Sequence, residues 1–426
     1  MTRTTFARMS VALLATVAAS STQAAAADLT AVGGPAWPQW GGPNRNFVVA
    51  AEPLAESWPA AGPAKIWDRP LGDGFSAIVG DARAVFTLYR QGPQDVVVAL
   101  DARSGATKWT YRYDAPFVDH CSFNEAGPGP RAAPLIAGDV LITASTNGLM
   151  HAFDRDSGRV LWRRDLGQDA AVRPCGYSNS PIAYKDLVIA LVGGYGKGVM
   201  AFARRTGEVV WHSQDFRNSY ASPMLIDLCG QPQLVVFTFG DVAGLNPETG
   251  ALEWTHPHAS EMGVNVSMPV WGDDGLLFVS SAYNGGSRVL RLRRDGSKTH
   301  VEEVWANQRV RIHFGNAVRL GGVVYASNGD TPTAPFAAID VKTGEFRWRT
   351  RGIARASLIA SGDRLVILDE DGQLTLAVPE DTGLRVLARA PIMTSTSWTV
   401  PTLIGTTLYL RDRQRIVALD LGRPKG

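Results

Sequence analysis

The sequence predicts an all-β chain, an eight-bladed β-propeller of four-stranded antiparallel blades. Three observations predict it. One short phrase recurs along the chain, its copies fall at near-regular intervals, and the two ends of the chain hold complementary fragments of one further copy.

The phrase has an apolar stretch, an Asp, a turn with Ser or Thr before Gly, and a Trp four residues after the Gly. Its copies are "ALDARSGATKW" ending at Trp109, "AFDRDSGRVLW" at Trp162, "AFARRTGEVVW" at Trp211, "GLNPETGALEW" at Trp254 and "AIDVKTGEFRW" at Trp348. Two copies are degraded. "RLRRDGSKTHVEEVW" has a lengthened turn before Trp305, and "LAVPEDTGLRVL" has Leu387 where Trp is expected. From Trp67 to Trp348 the steps are 42, 53, 49, 43, 51 and 43 residues, and Leu387 follows 39 later. A period of this size marks an array of supersecondary units.

One unit, "PLIAGDVLITASTNGLMHAFDRDSGRVLWRRDL", holds four short β-type runs separated by "AGD", "TNG" and "DRDSG". The separators are turn chemistry: Gly supplies positive φ, and Asp or Asn bonds local amides. The runs between them alternate with the period of a strand. Pro opens the first strand of several units, a position that tolerates it.

At the ends, "AKIWDRPL" is a last strand without partners, and "IVALDLG" stops after its Asp. Pairing them closes a ring and removes two sheet edges, which favours a propeller over tandem sandwiches. Seven tryptophans, Trp67, Trp109, Trp162, Trp211, Trp254, Trp305 and Trp348, then fall on outer strands. Each is expected to dock one blade on the next, burying roughly 150–250 Å².

Residues 1–27 read as a signal peptide: Arg3 and Arg8 without an acid, an apolar run "VALLATVAAS", and small residues for cleavage after Ala24 or Ala27. Residues 28–62 read as a lead-in and 63–426 as the propeller. The expected location is the periplasm or outside the cell. No Cys follows the apolar run, so a lipoprotein is not expected, and no later stretch has the ~18 apolar residues of a spanning helix.

The chain holds 42 basic and 40 acidic residues; without the first 27 the balance is 40 to 40. Near-neutrality argues against nucleic acid as a partner. The three cysteines, Cys121, Cys175 and Cys229, form no CxxC and no zinc cluster. Loops "RYDAPFVDHCSFNEAGPGP" (112–130) and "GQDAAVRPCGYSN" (167–179) belong to adjacent blades, so Cys121 and Cys175 are expected to pair, leaving Cys229 free.

The pattern A-x-D-x-x-[ST]-G-x-x-x-W resembles the tryptophan-docking repeat of pyrroloquinoline quinone (PQQ)-type propellers. The resemblance covers residues 37–422, and "WPQWGGPNRN" (37–46) is similar to the lead-in of exported PQQ-like repeat proteins. That superfamily holds quinoprotein alcohol dehydrogenases and non-enzymatic BamB-like factors of outer-membrane barrel assembly. It implies two functions. One is a periplasmic scaffold, a monomeric ring that binds a protein or a small anionic ligand at its channel mouth, with a periplasmic or outer-membrane protein as partner. The alternative is an alcohol or sugar dehydrogenase using PQQ and Ca²⁺ in the channel. The chain lacks the vicinal Cys-Cys and C-x-x-C-H motifs of many quinoproteins, and the lipobox Cys of the assembly factors. No motif places calcium ligands or a catalytic base. The acidic runs "WGDDG" and "LDEDG" read as hairpin turns.

In propellers, ligands meet the loops that lead into first strands. The residues there are Arg131, Asn179, Tyr220, Ser222, Asn265, His313, Asn316, Arg355 and Trp398. Arg131 and Arg355 suit an anion. The long loop adds Asp119, His120 and Glu125 as rim candidates.

Overall fold

In the computed structural model, residues 34–117, 127–168, 174–329 and 334–423 are described. They form eight four-stranded antiparallel sheets arranged in a ring. Blade 1 spans 79–114, blade 2 135–165, blade 3 182–213, blade 4 224–257, blade 5 270–307, blade 6 318–350 and blade 7 356–391. Blade 8 takes three strands from 402–420 and its outer strand from Ala64–Pro70, which pairs antiparallel with Arg415–Asp420. The ring therefore closes by joining the two ends of the chain.

Inner strands are apolar and buried on both faces, as in Val140–Ala144, whereas outer strands such as Thr107–Asp114 expose every other residue or more. Closure at the seam is reinforced by Arg411. This fully buried guanidinium in blade 8 donates to the blade 1 carbonyl of Leu88 (2.6 Å) and to Thr87 Oγ1 (3.0 Å), and to the carbonyl of Gly74 (2.8 Å).

The repeated phrase forms the turn between third and fourth strands. In blade 1, Asp101 Oδ1 accepts from the Ser104 amide (3.0 Å) and hydroxyl (2.9 Å). That hydroxyl is the main reason its carboxyl titrates below the ordinary Asp range. The Gly of the turn has a second duty. The outer-strand Trp of the preceding blade lies on it: Trp67 on Gly105, Trp109 on Gly158, Trp162 on Gly207, Trp211 on Gly250 and Trp305 on Gly344. In four of these five the indole N–H also donates to a carbonyl of the same turn, as Trp67 does to Ala102 (3.0 Å) and Trp109 to Arg155 (3.0 Å), whereas the Trp211 N–H makes no such bond. Trp254 faces the lengthened turn of blade 5, which offers no such glycine. Its indole donates instead to Gln233 Oε1 (2.8 Å), and the Gln233 amide donates to Thr299 of blade 5 (2.7 Å). One glutamine thus bridges the gap that the degraded copy leaves.

The lead-in closes one end of the channel. Ala36 and Trp37 pair with Asp81 and Gly80 at the far end of blade 1's first strand, and Val48 and Val49 run parallel to Ala360 and Ser361 of blade 7. Between them Arg45, wholly buried, reaches into the channel. Its Nε donates to the carbonyl of Pro223 (2.5 Å), and its Nη2 to that of Ser180 (2.7 Å). Burial lowers its pKa to about 9. No helix among the described residues is long and apolar enough to cross a membrane.

Candidate functional site

The opposite end of the channel is the mouth. It is built from the loops that lead into first strands and from those joining second to third strands, which the antiparallel order places on the same face. Ser, Thr and Asn just ahead of first strands bond the neighbouring blade and knit the ring around the channel. Ser76 Oγ donates to Ala132 O (2.7 Å), Ser180 N to Ser222 Oγ (2.9 Å), and Thr402 Oγ1 to Ile78 O (2.7 Å).

Besides Ser222, three of the sequence candidates belong to this ring. Asn179 donates to Ala221 O (2.6 Å), and Asn316 both donates to and accepts from the backbone of Leu358 (2.7 and 2.9 Å). Asn265, with no exposed surface, donates to Thr238 O (2.7 Å) and accepts from Ser260 and Ser281 (2.7 and 2.8 Å). The polar variety at this register thus reflects different inter-blade partners. Arg131 donates to the carbonyls of Cys175 and Gly127, and the Tyr220 hydroxyl accepts from the Cys175 amide (3.4 Å). Cys175 is disulfide-bonded and Cys229 is a free, exposed thiol. Asp119, His120, Cys121 and Glu125 lie outside the described residues.

The remaining three candidates come together in one cluster. Arg355 donates to both oxygens of Glu370 (3.2 and 3.0 Å from Nε) and forms an ion pair with it at 2.7 Å. The Trp398 indole donates to the same carboxylate (3.0 Å). The guanidinium stands over the rings of Phe314 (4.6 Å) and Trp398 (5.7 Å), a cation–π arrangement. His313 lies between Arg355 (3.4 Å from Nδ1) and the hydroxyl of Tyr283, which meets Nε2. Tyr283 is held at φ 52, beside Asn284 at φ 60. A left-handed backbone at a bulky residue costs on the order of 1–3 kcal/mol and persists where the surroundings impose it.

Two similar units flank this cluster. Arg413 pairs with Asp73 (2.6 and 2.9 Å) beneath Phe75, whose ring stacks near Trp398 (5.0 Å). Arg217 lies 3.9 Å from the ring of Phe239. The mouth therefore shows half-buried aromatic rings interleaved with guanidiniums, and within it Glu370 and Asp73 are paired with arginines.

Sequence reasoning found His313, Arg355 and Trp398 but not Glu370, Asp73, Phe75, Phe239, Tyr283 or Phe314. Glu370 sits in "LDEDG", which does join two strands as a turn, here the second and third strands of blade 7. The signal available was its register: loops between second and third strands share the mouth face.

The cofactor implied by the PQQ-like repeat can be set against this geometry. Ca²⁺ takes six to eight oxygen ligands. Among the described residues no group of three His, Cys, Asp or Glu could hold a metal ion, and Glu370 and Asp73 are neutralised by arginines. These described residues do not fit a calcium–quinone pair.

A ring of four-stranded blades with Trp-on-Gly docking defines the class: a PQQ-like-repeat propeller. The family profile described as outer membrane protein assembly factor BamB matches residues 93–350, and the chain belongs to that family. It is 26% identical over 286 residues to the outer membrane protein assembly factor BamB of Yersinia pestis, covering 61% of this chain and 68% of the relative. It is 29% identical over 158 residues to the quinoprotein ethanol dehydrogenase of Pseudomonas putida, which is 34% of this chain and 23% of that enzyme. Among solved structures, BamB from Moraxella catarrhalis superposes with a TM-score of 0.59 at 18% identity, covering 84% of this chain and 99% of that one. The quinohemoprotein alcohol dehydrogenase from Comamonas testosteroni superposes with a TM-score of 0.65 at 14% identity, covering 94% and 84%. At these identities the structural likeness establishes the fold.

Proposed function

We propose that the chain is a periplasmic scaffold that docks a protein partner on its mouth face, through a segment carrying acidic or other anionic groups. The observation that supports this is the surface of Trp398, Phe314, Phe75, Tyr283 and Phe239 interleaved with Arg355, Arg413 and Arg217. Trp, Tyr and Arg dominate the energetics of protein interfaces because they bury much area while keeping a polar handle. The rings are pre-set by cation–π contacts and ion pairs, so little side-chain freedom is lost on docking. Family membership supports the same reading, since relatives are named as outer-membrane assembly factors.

The test is photocrosslinking in the native envelope, from Thr394 at the mouth and from Lys342 on the opposite face. A defined adduct from Thr394, absent from Lys342 and lost in Trp398→Ala and Arg355→Ala, supports the proposal. Equal adducts from both faces, or no effect of either substitution, overturns it. Purified protein mixed with PQQ and Ca²⁺ provides the other arm. Quinone absorbance together with dye-linked alcohol oxidation would establish the dehydrogenase instead.

A further inference from the structure

At seven of the eight joints an outer-strand tryptophan meets the next blade, directly or, for Trp254, through Gln233. The joint between blades 7 and 8 lacks both halves of that device. Blade 7 has the half-buried Leu387 at the tryptophan's position. Blade 8 has no continuous turn to receive an indole. Its third strand is Arg415–Asp420, and its outer strand, Ala64–Pro70, comes from the other end of the sequence.

The lead-in fills that joint and holds both blades. On blade 7 the Glu52 amide donates to Ser361 Oγ (3.0 Å). Arg364 donates from Nη1 to the carbonyl of Leu54 (2.8 Å) and from Nη2 to Glu56 Oε1 (3.0 Å). Gly62 rests on Ala390 and Ile392, where an added Cβ would stand 2.6 Å from Ile392 Cδ1. On blade 8 the Ala55 amide donates to Leu421 O (2.7 Å), and the Arg423 amide donates back to Pro53 O (3.2 Å). Leu54 pairs with Gly422 between the two sheets and has no exposed surface.

We infer that the lead-in is a latch on the blade 7–8 joint, standing in for the tryptophan and its turn, and that this joint loosens when the latch is displaced. The mouth cluster is built across the same joint. Arg355 and Glu370 belong to blade 7 and its entry loop, whereas Trp398 belongs to the entry loop of blade 8. There the Glu370 carboxylate accepts from the Trp398 indole (3.0 Å), and the Glu370 carbonyl accepts from the Ser397 amide (3.1 Å). Ser361 and Arg364 flank the turn between the first and second strands of blade 7, at the end away from the mouth. The latch and the cluster thus grip opposite ends of one joint. Freeing the lead-in weakens the Trp398 contacts, and whatever bridges Arg355 and Trp398 holds the lead-in down, because such coupling is reciprocal.

The test is amide hydrogen exchange on the purified chain. Ala55 reads the latch, Ser397 reads the joint, and Leu135–Ala137 of blade 2 reads the rest of the ring. Arg364→Ala removes the clamp on Leu54 and Glu56. It is expected to speed exchange at Ala55 and Ser397 about tenfold, with blade 2 unchanged. Glu56→Gln alters only an exposed carboxylate, keeps the ring folded, and is expected to give about a twofold rise at the same two amides. Arg309→Ala is the control. It breaks the Arg309–Glu345 pair (3.0 Å) between blades 5 and 6, a joint that Trp305 on Gly344 already holds, and leaves exchange at Gly344 and Ser397 unchanged. The inference is overturned if Ser397 stays protected while Ala55 is freed, or if neither lead-in variant moves either amide. A rise as large in blade 2, or at Gly344 in Arg309→Ala, also overturns it. The readout needs no partner, so it is independent of docking at the mouth.

Discussion

The indole of Trp162 rests on the backbone of Gly207, and a Cβ placed on that glycine would stand 2.6 Å from the ring. Gly207 also has φ 69, so two separate constraints exclude a side chain. Gly405 has φ 59 and nothing within 4 Å of an added Cβ, so only one constraint acts there. Gly405→Ala is expected to cost on the order of 1 kcal/mol, and Gly207→Ala clearly more, on the order of 2–4 kcal/mol, because the blade 2–blade 3 contact must open as well. Denaturant midpoints of the two variants measure the difference, and equal losses would remove the packing role.

Arg45 holds the lead-in across the channel. Arg45→Met keeps most of the volume but leaves the carbonyls of Ser180, Pro181 and Pro223 without this donor. The expected loss is about 1–3 kcal/mol, with earlier proteolytic cutting within residues 34–62. Arg45→Lys does not restore stability, because an ammonium cannot reproduce the planar fork that reaches several carbonyls together. Rescue by lysine would argue for charge alone.

Acid destabilises the ring through buried imidazoles. His151, buried in blade 2, has its pKa lowered to about 4, chiefly by burial, with the Arg163 charge adding. His258 is lowered to about 3 by burial first and then by Arg288 and His256; its Nδ1 accepts from Arg288 (2.9 Å) and its Nε2 meets Ser281 Oγ (2.7 Å). Both values lie below the ordinary value near 6.5 of an unfolded chain, so the unfolded state binds the proton first. The stability held by neutral His is complete above about pH 6.5. It falls by about 1.4 kcal/mol per pH unit for each His as the pH drops, until the folded value is reached. His258→Gln, measured by denaturation between pH 7 and 4.5, is expected to reduce that slope. An unchanged slope would place the acid sensitivity elsewhere.

Cys175 is disulfide-bonded while Cys229 is free. Peptide mapping without reductant is expected to return Cys175 joined to Cys121, which would tie the loop ahead of blade 2 to the loop ahead of blade 3. Cys175→Ser is expected to lower stability by about 2–4 kcal/mol. A free thiol on Cys121 in the mapped protein refutes the pairing.

The fold was legible because strands and turns are local. Asp101, Ser104 and Gly105 make their turn within five residues, and the repetition of that turn announces how many blades there are. The complementary fragments near Trp67 and Ile416 announce the closure. The candidate site was legible only in part. Register alone pointed to Arg355, His313 and Trp398. It could not separate them from Asn179, Asn265 and Asn316, which occupy the same register and are buried in bonds between blades. Both sets are polar residues ahead of a first strand, and whether such a side chain faces solvent or the next blade depends on a neighbour some forty residues away.

The sequence by itself determined the blade, its number and its closure, because each follows from short-range alternation, turn residues and a repeating Trp. Only the tertiary structure decided which carboxylate meets which guanidinium. Glu370 joins Arg355 across 15 residues and Trp398 across 28, and Arg413 joins Asp73 across 340. The Arg355–Glu370 pair forms when blade 7 folds back on its own entry loop, while the contacts of Trp398 and of Arg413 with Asp73 exist only once the ring has brought loops of different blades onto one face. The same ring lets the lead-in bind blades 1 and 7 by strand pairing and reach the carbonyls of Ser180 and Pro223 through Arg45.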